Sequence, residues 1–301
     1  MKLGMLRYLV PLLAAVGAVL LGYSYFIEPN RLVARSSEIA IRDLDPALDN
    51  LRIVLVSDIH GGSNNVTFEK ILEVTASAND QKPDLVLLVG DFVSEYPGER
   101  SATSPLRMPA DRIADGLAGL NAKLGVFAVL GNHDGGSGSR VAVELERVGI
   151  RVLEDEVAIV TRNDRELRIL GFKDHLEAGN RWKRLPQDTQ KILDGTGDGD
   201  IIALQHSPDI FPSITGDKSI SPKLRLVLAG HTHGGQVWLP ILGRSIIPSS
   251  YGQKYAYGHV FENGVHLFVT GGIGTSILPF RFMVPPEISV LTLRAASDQN
   301  R

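Results

Sequence analysis

The chain has 301 residues, a formal net charge of −3, 44% hydrophobic and 22% charged residues, and no cysteine. Such a composition belongs to an ordinary globular protein of one large or two small domains. It excludes disulfides, thiolate zinc sites and iron–sulfur clusters, and the slightly negative charge argues against a dedicated nucleic-acid binder.

Residues 8–27 carry no charge, and a helix of that length crosses a bilayer. Tyr8, Tyr23, Tyr25 and Phe26 sit near its ends, as an aromatic belt does. Pro11 falls in the first turns, where it is tolerated. The stretch is long for a cleaved signal peptide, and neither a small-x-small site nor a twin-arginine pair accompanies it. We read residues 1–35 as an uncleaved membrane anchor and 36–301 as the remaining domain. Lys2 and Arg7 precede the segment, and Arg31, Arg35 and Arg42 follow it. That count is nearly balanced and assigns no side of the membrane.

Alternation over 38–41 predicts a first edge strand. Short apolar runs at 51–56, 85–89, 126–130, 201–204 and 224–228 read as buried strands. Helical spacing predicts helices over 67–76 and 111–120, and a third over 141–148 stopped by Gly149. Residues 152–156, 158–161 and 167–171 read as strands, with Asn163 and Asp164 at a hairpin turn. The polar stretch 94–109 follows Asp91 and is expected to overhang the site as a loop. Segment 174–200 is polar and holds Arg181, Trp182, Lys183 and Arg184, read as a solvated helix face in preference to a phosphate contact. Residues 236–240, 264–270 and 288–293 read as strands, and His266, inside an alternating strand, as structural. The pattern is α/β with mixed sheets.

A polar cluster follows each of the five buried runs. These are Asp58 with His60, Asp91, Asn132 with His133 and Asp134, His206, and His231 with His233. In open α/β sheets functional groups gather beyond the carboxyl ends of strands. Asp58 and His60 are two apart, so on an extended segment both side chains lean the same way. Carboxylate, imidazole and amide oxygen together suit Mn, Fe or Zn. Seven candidates (Asp58, His60, Asp91, Asn132, His206, His231 and His233) are too many for one tetrahedral ion. They fit two ions that share a carboxylate, with Asp91 as the bridge. Each cluster alone is compatible with a helix cap, a polar turn or a core histidine; their joint order is not.

The order D-x-H, G-D, G-N-H-D, H and G-H-x-H resembles the calcineurin-like metallophosphoesterases over about 51–293. The resemblance implies an α/β/β/α four-layer sandwich with two divalent metal ions. It implies that Asp58, His60 and His233 hold the first ion, Asn132, His206 and His231 the second, and that Asp91 bridges. His133 would stand over the substrate as a hydrogen-bond donor or general acid, with Asp134 orienting it. The implied chemistry is in-line attack on phosphorus by metal-activated water.

The continuous string at 230–236, followed by Tyr251, Gly258, the glycines of 271–274, Pro279, Phe280, Arg281, Pro286 and Glu287, is similar to a membrane-anchored bacterial subgroup. That subgroup includes the UDP-2,3-diacylglucosamine pyrophosphatases of lipid A synthesis. It implies a phosphorylated lipid or nucleotide-lipid substrate, the bilayer as a partner, and a single pass in the bacterial inner membrane. Arg281, in a loop between prolines, is read as an exposed cation for substrate phosphate. Residues 92–94 depart from the pattern, since many relatives carry a second acid there. The alternatives are a cell-envelope phosphatase of broad specificity and a non-catalytic scaffold; an intact ligand set argues against the scaffold.

Overall fold

A computed structural model describes residues 3–96, 105–135, 139–174, 185–216 and 219–296. In chain order, helix α1 (Leu3–Gly22) leads through a π-turn (Tyr23–Ile27) and a 3-10 turn (Glu28–Asn30) into β1 (Val33–Arg42) and β2 (Arg52–Val56). Then come α2 (Phe68–Asp80), β3 (Leu85–Val89), α3 (Ala110–Leu117), β4 (Val126–Val129), α4 (Arg140–Arg147), β5 (Arg151–Val152), β6 (Glu156–Arg162) and β7 (Arg165–Gly171). After α5 (Leu185–Leu193), β8 (Asp200–Leu204), α6 (Phe211–Ile214) and β9 (Leu224–Ala229), the chain ends in strands. These are β10 (Trp238–Leu239), β11 (Gly243–Arg244), β12 (Gly258–Glu262), β13 (Val265–Val269) and β14 (Glu287–Ala296).

Two six-stranded mixed sheets form, in the orders β1-β14-β2-β3-β4-β5 and β12-β13-β9-β8-β7-β6. Their inner faces share one apolar core. Ile53, Leu55 and Leu87 of the first sheet pack with Ile202, Leu204 and Leu226 of the second. The alternate residues face outward: Val54, Val56 and Leu88 meet Ile71, Ile113 and Leu145 of α2–α4. The outer face of the second sheet meets Ile210, Phe211 and Ile214. Both faces of each central strand are thus buried, so those strands read as unbroken apolar runs. The result is the four-layer α/β/β/α sandwich.

Local chemistry sets the helix ends. The Thr67 hydroxyl accepts from Lys70 N at 3.3 Å, and the Ser139 hydroxyl from Ala142 N at 3.2 Å, each satisfying an orphan first-turn amide. Asn163 and Asp164 take φ of 51° and 62° in the two-residue hairpin between β6 and β7, as a type I′ turn demands. The single strand expected over 152–156 is instead divided. β5 pairs with β4 in the first sheet and β6 with β7 in the second. A left-handed Asp155, φ 56°, lies in the turn between them. Over 236–240 Trp238 and Leu239 form a short strand with β11 and Val237 makes an isolated bridge to Phe282, because Gly235 and Gln236 turn the chain at positive φ. β12 was not anticipated, and α5 falls inside the polar segment 174–200. Residues 181–184 lie outside the described residues, as do 97–104 of the expected overhanging loop. β1 starts at Val33, inside the interval assigned to the anchor, and is the parallel edge partner of β14. Among the described residues one helical segment, Arg7–Asn30, is long and apolar enough to cross a membrane.

Candidate metal centre

β2, β3 and β4 are parallel neighbours, as are β8 and β9. Their carboxyl ends deliver Asp58 and His60, Asp91, Asn132 and His133, His206, and His231 and His233. Asp58 N donates to Gly90 O at 2.9 Å and His60 N to Asp91 O at 3.0 Å, which lock the first two loops together. His231 N lies 3.1 and 3.0 Å from the two Asp58 oxygens, joining the second sheet to the first.

The backbone at the site is not the extended segment expected from sequence. Asp58, His60, Asp91, His231 and His233 all have φ between 46° and 67°. L-residues visit that left-handed region at a cost of roughly 1–3 kcal/mol each. The two side chains of Asp58 and His60 converge because each turns, not because a strand alternates. Gly90, at φ 83°, has no room for a side chain: a Cβ there would sit 2.5 Å from Gly131 N. A Cβ on Gly131 would collide with Asp91 Oδ1.

Two clusters of three donors result, Asp58 with His60 and His233, and Asp91 with His206 and His231. His60 Nε2 faces His233 Nε2 at 3.3 Å, and His231 Nδ1 faces His206 Nε2 at 3.1 Å. A single oxygen, Asp91 Oδ2, stands 3.4 Å from His60 Nε2 and 3.1 Å from His206 Nε2. It therefore lies between the clusters, where a shared carboxylate belongs. Nδ1 of His60 and of His206 can donate to the carbonyls of Val93 (3.1 Å) and Val89 (2.7 Å). In that tautomer both Nε2 lone pairs turn inward. Asn132 Oδ1 is buried with no hydrogen-bond partner among the described residues. Facing imidazole nitrogens and an orphan amide oxygen fit divalent cations.

The electrostatics agree with that fit. Burial pushes His233 well below its usual range and His60 down to about 4, so both are neutral and ready to bind a cation. Burial also works against a charged His206, but Asp91 and Asp58 outweigh it and hold this imidazole well above its ordinary value. A proton on His206 takes the place a cation would fill. Burial would raise Asp91, yet the surrounding histidines keep it well below the carboxylate range. Burial and the charge of Asp91 lift Asp58 to about 6, against the pull of His206.

The structure corrects two sequence-based assignments. Asp134 does not orient His133. Its Oδ2 accepts from Asp91 N at 2.7 Å and Gly131 N at 2.8 Å, and its Oδ1 from Phe92 N at 2.8 Å and Val93 N at 3.2 Å. It holds the turn that aims Asp91. Burial and the Asp91 charge lift its carboxyl to about 7 against the pull of the Gly131 and Val93 amides. The partner of the His133 side chain is Glu95, whose Oε2 lies 3.0 Å from Nδ1. Glu95 was missed because it follows Asp91 by four positions, within a stretch read as a polar loop.

Arg281 is not an exposed cation. It is fully buried, and its guanidinium donates to the carbonyls of Gly271 (2.9 Å), Gly274 (3.0 and 2.5 Å) and Val284 (3.2 Å). Nη2 stands 3.5 Å behind His233 Nδ1. Burial lowers its pKa to about 10, still charged at neutral pH. Flanking prolines read as a surface loop, but this one folds over the 271–274 turn. His266 pairs with His259 at 2.8 Å on the strand hairpin β12–β13, away from the centre.

Two clefts flank His133. One of about 480 Å³ is lined by Asp91, Asn132, His133, His231 and Ser249. The other, about 640 Å³, is lined by His60, Glu95, His133, Arg107, Tyr25 and Pro279. The expected loop thus does border the site through Glu95, Tyr96 and Arg107.

A family model described as calcineurin-like phosphoesterase matches residues 51–235. The chain belongs to the calcineurin-like phosphoesterase family. This phosphoesterase is 31% identical over 281 residues to the uncharacterized metallophosphoesterase YkuE of Bacillus subtilis, covering 92% of this chain and 90% of that one. It is 27% identical to the phosphodiesterase YaeI of Escherichia coli, covering 90% of this chain and 92% of the relative. It is 33% identical to a transmembrane protein with metallophosphoesterase domain from Danio rerio, over 86% of this chain but 56% of that longer protein. The phosphoesterase is a hydrolase acting on phosphoester bonds, with two sites for divalent metal.

Proposed function

We propose that the enzyme hydrolyses a phosphodiester or pyrophosphate bond in a membrane-lipid precursor, at the bacterial inner membrane. UDP-2,3-diacylglucosamine is the first substrate to test. The observation that carries this reading is the cleft in which His60 and His133 share walls with Tyr25, a residue of the apolar segment Arg7–Asn30. That segment anchors the domain and keeps the site beside its substrate.

Asp58, His60 and His233 would hold one ion, Asn132, His206 and His231 the other, with Asp91 between; Mn, Fe and Zn all suit this donor set. Two bound cations supply charge neutralisation at phosphorus and a nucleophile at neutral pH. Asp58 and Asp91 keep that charge balanced, and Asp134 keeps Asp91 aimed. With Glu95 accepting from Nδ1, His133 is placed to donate from Nε2 to the leaving oxygen. Arg107, exposed beside Glu95, is the cation that meets substrate phosphate in place of Arg281.

The test is turnover by purified, Mn-loaded full-length protein of UDP-2,3-diacylglucosamine and of bis-p-nitrophenyl phosphate. Preferential cleavage of the lipid supports the proposal. Turnover of the soluble diester alone replaces it with a broad-specificity envelope phosphodiesterase; similarity to a phosphodiesterase supports the diester part of that reading.

A further inference from the structure

Two segments beside the centre have an unusual composition. Residues 236–248 and 276–284 contain one arginine each and no acid. The second arginine, Arg281, is buried, so segment 276–284 shows solvent no charge. Large apolar side chains are exposed instead. Ile241 and Leu242, between β10 and β11, are 96% and 74% exposed, and Ile277 and Met283 are 60% and 46% exposed. Water-facing loops are ordinarily polar, and apolar patches of this kind mark an interaction surface.

The two segments form one unit. Val237 bridges to Phe282, Trp238 N donates to Phe282 O at 3.0 Å, and the Gln236 amide donates to Leu278 O at 2.7 Å and Phe280 O at 3.1 Å. That unit is fixed to the end of the apolar helix. Arg281 N donates to Ser24 O at 3.1 Å. Asn64 Nδ2 donates to Pro279 O at 2.6 Å and to Tyr25 O at 3.3 Å. Ser24 and Tyr25 lie inside the segment Arg7–Asn30. Whatever holds the last turns of that segment holds residues 276–284 at the same depth. For a spanning helix that depth is the headgroup level, where exposed Phe26 and Ile27 also belong.

We propose that segments 236–248 and 276–284 are a bilayer-facing surface, with Ile241, Leu242, Ile277 and Met283 seated in the lipid interface. The occupant is the lipid leaflet, because the surface continues the end of the membrane-spanning segment. The cleft between Tyr25 and His133 then opens at the headgroup level and receives its phosphoester from the plane of the membrane. This rests on the anchor reading given above.

The lack of cysteine makes a single-site test direct. Full-length Leu13→Cys, Ile241→Cys, Met283→Cys and Ile159→Cys are each labelled with an NBD fluorophore. They are reconstituted in phosphatidylethanolamine–phosphatidylglycerol vesicles and quenched by doxyl lipid or by iodide. The labels at positions 13, 241 and 283 should lose most of their emission to doxyl lipid. The label at position 159, on the far edge of the second sheet, should answer to iodide alone. If the position 13 label is quenched by lipid while those at 241 and 283 answer only to iodide, the surface proposal fails and the anchor stands. If 241 and 283 are shielded from both quenchers, the surface is a protein interface and the proposal fails. If the position 13 label answers only to iodide, the anchor reading itself is wrong and the proposal falls with it.

Discussion

The carboxylate of Asp134 is the least obvious support of the centre, and removing it gives the sharpest test. Four backbone amides converge on its two oxygens at 2.7–3.2 Å, and the side chain is 4% exposed. Asp134→Ala strands all four donors. A buried donor left unpaired costs about 1–3 kcal/mol, and water entering the void recovers part of that. The loss is on the order of 3–6 kcal/mol, a large share of the roughly 5–15 kcal/mol that holds a protein folded. Asp134→Asn keeps one oxygen for two of the amides and turns an NH2 group toward the other two. It should cost about half as much, lowering Tm by roughly 5 °C at about 2 °C per kcal/mol. One of those amides belongs to Asp91, so the residue between the two clusters shifts and metal is lost as well. Thermal unfolding of the detergent-solubilised full chain, with metal content measured by mass spectrometry, reads both effects. An Asn variant with unchanged Tm and full metal would refute the claim that Asp134 works through the Asp91 turn.

Glu95→Gln should leave metal content and KM intact while kcat falls about 10–100-fold, as for other partners that orient a functional histidine; an equal rise in KM would point to substrate contact instead. His133→Ala should keep both ions and lose most turnover, whereas Asp91→Ala should lose metal. Full metal and activity in the Asp91 variant would remove the bridge assignment. Arg281→Met strands the carbonyls of Gly271, Gly274 and Val284 and loosens His233. The expected result is a lower Tm and weaker metal binding at unchanged KM for the metal-loaded fraction; a selective rise in KM would restore Arg281 as a substrate cation. Metal uptake should release a proton. His206 is raised above its usual value without metal, so it is protonated near pH 7 and must give up that proton to bind. Its Mn affinity should therefore fall as the pH is lowered through neutrality, read by competition with a chelator; a flat profile would place the proton elsewhere.

The meeting of the candidate ligands at one place was legible in the chain because it depends on local signals. A β-branched-rich apolar run of four to six residues reads as a doubly buried strand, and a polar cluster after each run falls at a strand's carboxyl end. Order and residue type then point to the chemistry. Helix caps at Thr67 and Ser139 and the turn at Asn163 and Asp164 are likewise set by neighbours in sequence. Contacts between distant segments were not readable. Nothing within a few residues of Asp155 announces that the chain leaves one sheet for the other. The left-handed turns at Asp58 and His60 are imposed by bonds to Gly90 and Asp91 on another loop. Glu95 took the part expected of Asp134, and Asp134 a part not foreseen, because hydrogen-bond partners follow spatial approach, not spacing. Arg281 has the sequence surroundings of a surface cation, and only the folding of the 271–274 turn and of Val284 around it supplies the carbonyls that let a charge stay buried.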